Sequence, residues 1–146
     1  MSFFAAMFVA AFGLNWLWEM LQMPAYAGMS GRPWREKVLV CTLASIGDSI
    51  ITLGVYGVGA LATRRLRWGM QGGWKVYVTV GLLAAACAVV VELTARATGH
   101  WSYLERMPTV PMLGVGLWPF LQLTLLVPLA LRFAVWWANR DGALKT

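Results

Sequence analysis

A chain of 146 residues in which 60% are hydrophobic and 12% charged, with nine tryptophans, is too apolar for a water-soluble domain of this size. Its net charge of +6 comes from Lys and Arg concentrated between the apolar segments, where they orient spans and meet anionic headgroups. That placement points to membrane lipids as partners and away from nucleic acid. The two cysteines, Cys41 and Cys87, lie in separate apolar runs and make neither a CxxC redox pair nor a zinc site.

A hydrocarbon core of about 30 Å takes roughly 20 helical residues. Four stretches reach that length, approximately 2–26, 39–63, 74–98 and 112–137. The first lacks a basic leader and carries Asn15, Glu19 and Gln22 where a cleavable signal is apolar, so it reads as a span of the mature protein. The expected fold is all-α, a four-transmembrane-helix bundle forming one domain over residues 1–146.

The connections differ in chemistry. Residues 27–38 combine Gly28, Gly31 and Pro33 with Arg32, Arg35, Glu36 and Lys37, a turn-rich link. Residues 64–73 hold Arg64, Arg65, Arg67 and the Gly72-Gly73 pair. Residues 99–111, GHWSYLERMPTVP, are the longest link, and their aromatic side chains suit an ordered cap at the headgroup level. Four spans put both termini on one side. With the termini inside, Arg64, Arg65, Arg67, Lys75, Arg132, Arg140 and Lys145 are cytoplasmic, against Arg32, Arg35, Lys37, Arg96 and Arg106 outside. The excess favours cytoplasmic termini.

Asn15, Glu19, Gln22 and Tyr26 fall at i, i+4, i+7 and i+11 of the first segment, a polar stripe on one helical face. Asp48 and Glu92 interrupt two other spans, so three of the six acidic residues are intramembrane candidates. A charged side chain at a helix centre costs on the order of 3 kcal/mol on insertion scales, and such residues usually have a function. At 1.5 Å per residue, Glu19 lies about 10 Å before the end of its span and Asp48 about 14 Å into the next; the same rise puts Glu92 about 9 Å before the end of the third and Gln122 about 15 Å into the fourth. In an up-down-up-down bundle all four occupy the same half of the bilayer.

On the second span Thr42, Ser45, Ser49, Thr52 and Tyr56 form a hydroxyl stripe flanked by Asp48. It reads either as a wet face or as helix packing, because small residues at four-residue spacing let backbones approach closely. Packing is also the reading for Gly54, Gly57 and Gly59. Glu92 has Arg96 one turn on, at the spacing of an ion pair. Glu19 and Asp48 have no basic residue within their own helices.

A protonated acid in an apolar pocket is a proton donor, and beside an ionised carboxylate it completes a general acid and base. Such a pair suits proton transfer at a hydrocarbon double bond, with Trp16, Trp18, Trp101 and Trp118 available to stabilise a cation. Glu19, Asp48 and Glu92 are therefore the candidate catalytic residues. Asn15, Trp18, Gln22, Tyr26, Trp101, Tyr103 and Gln122 are the candidate substrate-binding residues. Arg96, His100 and Arg106 offer a basic cluster for an anionic headgroup or simple lipid contact. No HExxH, GxxxxGK[ST], GxSxG or Asp-rich motif occurs, and His100 is the single histidine, so neither a metal centre nor a bound cofactor is expected.

The motifs NxLWExLQxPxY at 15–26, GDSI at 47–50, Glu92, and WSYxxxMPxxPxxGxGLxPxxQ at 101–122 cover most of the chain. In them it resembles a family of small bacterial four-span integral membrane proteins, which implies that architecture in the inner membrane but no activity. It is more weakly similar to the integral-membrane carotenoid cyclases and hydratases, in which an acid on a span is followed by GxWxY and a proline-led helix. The corresponding residues are Glu92, Gly99, Trp101, Tyr103 and Pro111. Where those cyclases carry a PxEE-type acid pair, this chain has Pro119 and Gln122.

Three functions are compatible with these features. One is an intramembrane acid-base enzyme acting on an isoprenoid-like or other lipid substrate. Another is a small transporter or proton or cation pathway, which four spans would complete as a homodimer. The last is an accessory subunit of a membrane complex.

Overall fold

Ser2 starts the first helix by accepting the Ala5 amide on its hydroxyl at 3.3 Å, and α1 runs over Phe3–Gln22. Pro24 then tightens the chain into a 3-10 turn, Met23–Ala25. Pro33 precedes α2, Trp34–Thr63, which ends at Arg64 in the left-handed conformation. A single turn, α3 (Trp68–Gln71), leads to α4 (Gly73–Ala97), and α5 spans Leu117–Arg140. This is a computed structural model that describes residues 1–71 and 73–140; Gly72 and Lys145 lie outside them.

Four of these helices are long and apolar enough to cross a membrane. Their outward faces are hydrocarbon, with Leu21 82% and Leu61 80% exposed, as a lipid-facing surface requires. The protein is an all-α, multi-pass integral membrane protein built on a four-helix bundle.

Two helices depart from the hydropathy boundaries. α2 begins at Trp34 rather than Leu39, because Arg35, Glu36 and Lys37 depress local hydropathy without opposing a helix; Glu36 in the first turn complements the helix dipole. α5 begins at Leu117 rather than Met112. Met112 and Gly114 hold positive φ (68° and 66°), so Val110–Val115 folds into a turn instead of a first helical turn. The second connection also holds a helix, α3, where only a loop is expected.

α1 packs against α2 on one side and α5 on the other, and α5 packs against α4. The fourth side of the square, between α2 and α4, is the loosely packed one. At the end of the bundle near the termini, Ala6, Met7, Val80, Ala84, Val127 and Leu131 fill the interior with no exposed surface. Pro128 lies inside α5 against Gly81 of α4, where a Cβ would sit 3.5 Å from its ring, so a small residue lets the two helices close.

α3 plugs the same end. The Trp68 indole donates to the Tyr56 carbonyl at 3.1 Å and stacks on the Tyr56 ring at 5.5 Å, while Tyr56 Oη donates to the Leu66 carbonyl at 2.8 Å. Of the three glycines considered for packing on α2, Gly59 is the one covered. A Cβ there would overlap the Trp68 ring, whereas Gly54 and Gly57 face open space.

Candidate functional site

The opposite end is capped by the two remaining connections, which pair through their backbones. Ala27 donates to the Ser102 carbonyl and Leu104 to the Ala25 carbonyl, each at 3.0 Å, around a Tyr26–Tyr103 bridge. Tyr26 stands edge-on to Trp101 and Tyr103, with ring centres 6.4 and 5.8 Å away. The Gly116 amide donates to Tyr103 Oη at 3.1 Å, and a Cβ at Gly116 would meet that ring at 2.9 Å, so only glycine fits there. The long third connection is thus an ordered cap fastened to the first.

Beneath it the polar residues of three spans converge on one side chain. Gln122 Nε2 of α5 donates to Asn15 Oδ1 at 2.9 Å, Glu19 Oε1 at 3.0 Å and Asp48 Oδ2 at 2.8 Å. An amide nitrogen carries two hydrogens, so three acceptors share them. Gln22 Nε2 donates to Gln122 Oε1 at 2.6 Å and to Glu19 Oε1 at 2.9 Å, and its own Oε1 accepts from the Trp18 indole at 3.2 Å. Asn15 Nδ2 returns to the Ala11 carbonyl of its own helix at 2.9 Å. One nitrogen therefore holds the carboxyls of Glu19 and Asp48, from different helices, within two hydrogen-bond lengths of each other.

A cavity of about 640 Å³ lies beside this network and beneath the cap. Glu19, Asp48, Glu92 and Gln122 line it, together with Tyr26 and Trp101. Most of its remaining wall is apolar, from Met23, Val40, Ala44 and Ile51 to Ala88, Val91 and Leu123. Much of that wall comes from α2 and α4, the loosely packed side of the square. Outside the spans, burial and then the charges of Glu92, Glu19 and Asp48 raise the Tyr26 phenol well above its usual value, so it remains a neutral hydroxyl.

The other expected binding residues sit off the cavity wall. Asn15 and Gln22 are buried and spend their amides on orienting Glu19 and Gln122. Trp18 closes the network from outside and meets Trp118 edge-on at 6.4 Å. Tyr103 belongs to the cap. Of the four tryptophans considered for cation stabilisation, Trp101 alone lines the cavity, and Trp16 donates to Thr42 Oγ1 at 3.2 Å.

One expectation is corrected. Arg96 forms no ion pair with Glu92; its guanidinium donates to the Gly114 carbonyl and lies 5.3 Å from the centre of the Tyr103 ring, which pins the cap. Of the two readings of the α2 hydroxyl stripe, helix packing is the one that fits, and the wet face does not. Ser45, Ser49 and Thr52 are fully buried and donate to the carbonyls of Cys41, Ser45 and Asp48 one turn back, at 2.6, 2.6 and 2.8 Å. Sequence reasoning set Cys41 aside, yet it lines the cavity, as does Arg32 from the first connection. Nothing in their spacing marks them out. No family model, curated protein or solved structure matches this chain.

Proposed function

We propose that the protein binds a hydrophobic, isoprenoid-like lipid in this cavity and carries out acid-base chemistry on it with Glu19 and Asp48. The observation that carries this reading is the bridging of two carboxyls from separate helices by Gln122 Nε2, at the wall of an otherwise largely apolar cavity. Two carboxyls so close favour a state in which one holds a proton and the other does not. The protonated one delivers its proton to an alkene carbon, and the ionised one removes a proton from the carbon next to the resulting cation. The double bond moves, the net charge of the pair is unchanged, and the two carboxyls exchange roles. Trp101 offers a ring face toward the transient cation, and the cap keeps water from capturing it.

A pathway across the membrane has less support. Past Gln122 the bundle interior is mainly apolar, with Ala11, Met7, Val127 and Leu131, and the buried hydroxyls of Ser49, Thr52 and Tyr56 there are already spent on backbone carbonyls. A bacterial inner membrane with cytoplasmic termini is part of the same proposal, supported by the Lys/Arg asymmetry between the two faces.

The test is untargeted. Wild-type protein in nanodiscs made from total bacterial lipid is followed over time by mass spectrometry with double-bond localisation, beside Glu19→Gln and Asp48→Asn. A lipid that wild type converts and both folded variants leave unchanged is the expected result. Identical lipid profiles for all three overturn the proposal.

A further inference from the structure

One wall of the cavity lies outside the Gln122 network and is left chemically incomplete. Glu92 is only 3% exposed, and its Oε2 is buried without a hydrogen-bond partner. The cation on its own helix, Arg96, is committed to the Gly114 carbonyl and the Tyr103 ring. The buried Trp101 indole N–H is directed at the Glu92 carboxyl but falls short of full hydrogen-bond geometry, so it is at most a weak donor to one carboxyl oxygen. Both residues line the cavity. Even with the indole drawn onto one carboxyl oxygen, the other oxygen would have no protein donor.

Buried polar groups are almost always satisfied, and orphaned ones in a native fold call for an explanation. Here the two orphans are complementary, one acceptor and one donor at the same wall. We propose that Glu92 and Trp101 form a subsite for a hydroxyl group on the bound lipid. An alcohol completes both at once, since its O–H donates to Glu92 and its oxygen accepts from the Trp101 N–H. An ammonium supplies donors alone, and an ether or ester supplies acceptors alone. The ligand class is therefore a long-chain or isoprenoid alcohol, its hydroxyl at Glu92 and its hydrocarbon along the Val40, Ala44 and Ile51 side of the cavity.

This inference rests on the lipid-cavity reading, and its test separates the two. Purified protein in detergent is loaded with geranylgeraniol, its O-methyl ether, or geranylgeranylamine, and retention is measured by native mass spectrometry. Wild type should retain the alcohol roughly tenfold better than the ether, the scale of one buried hydrogen bond to a carboxylate. Glu92→Leu should erase that preference, and Trp101→Phe should lower retention of alcohol and ether alike, since both oxygens accept from the indole N–H, while keeping the preference for the alcohol. Equal retention of alcohol and ether by wild type overturns the hydroxyl subsite but leaves the lipid cavity standing. Preferential retention of the amine overturns it in favour of a cation site. Failure to retain any of the three overturns both readings.

Discussion

Gln122 reaches across the bundle from α5 to hold the Asp48 carboxyl of α2 at 2.8 Å, although the two helices themselves touch little. With its bonds to Glu19, Asn15 and Gln22, that amide joins three of the four spans. Replacing it by Leu keeps the volume but strips donors from two carboxyls. A hydrogen bond to a charged group is worth about 1.5 to 3 kcal/mol and one to a neutral group about 0.5 to 1.5 kcal/mol, so with one carboxyl of each kind Gln122→Leu should lower stability by about 2 to 4 kcal/mol. Reversible unfolding in mixed SDS and mild detergent measures this. A loss within error of zero would mean that the network contributes no net stability.

The α2 hydroxyls should behave quite differently. Ser45 and Ser49 bond only to their own helix and are packed without exposed surface. Ser45→Ala and Ser49→Ala should each change stability by less than about 1 kcal/mol, because loss of the donor leaves a carbonyl that is still bonded within the helix. Ser45→Leu should disrupt packing far more. The same unfolding assay compares all three, and a large cost for the alanines would revive the wet-face reading.

Gly59 and Trp68 make a sharper packing test. A Cβ at Gly59 would overlap the Trp68 ring, so Gly59→Ala must push α3 off the bundle end and should cost about 1 to 3 kcal/mol. In the Gly59→Ala/Trp68→Ala double variant the clash is gone. Its cost relative to Trp68→Ala alone should fall close to zero, and a full second penalty would show that the clash is not the cause.

The Gln122 layer can be read from spacing and rise alone. Helical periodicity brings Asn15, Glu19 and Gln22 to one face, and the lengths of the spans set Asp48 and Gln122 at the same level. Which of these side chains face the cavity cannot be read that way. The loose α2–α4 contact decides it, and that contact depends on how four helices pack at once. The Glu92–Arg96 spacing misleads for a similar reason, because the cap supplies Arg96 with the Gly114 carbonyl and the Tyr103 ring, neither of which is near it in sequence. Positive φ at Met112 and Gly114 likewise shortens α5 at a point where hydropathy stays high.

Cys41 offers a direct test of how a lipid reaches the acids. It is 1% exposed and lines the cavity on α2, which packs only loosely against α4. The cap is fastened by paired backbone and edge-on aromatics, whereas α2 and α4 touch little, so the weaker boundary is the α2–α4 seam facing the bilayer. In a Cys87→Ser background in nanodiscs, N-ethylmaleimide, which partitions into lipid, should label Cys41, whereas a permanently charged methanethiosulfonate should react far more slowly. Ala44→Trp, which puts a large ring on the same wall, should slow the maleimide and leave the fold intact. Equal labelling by both reagents would put the opening at the water side and rule out entry from the membrane.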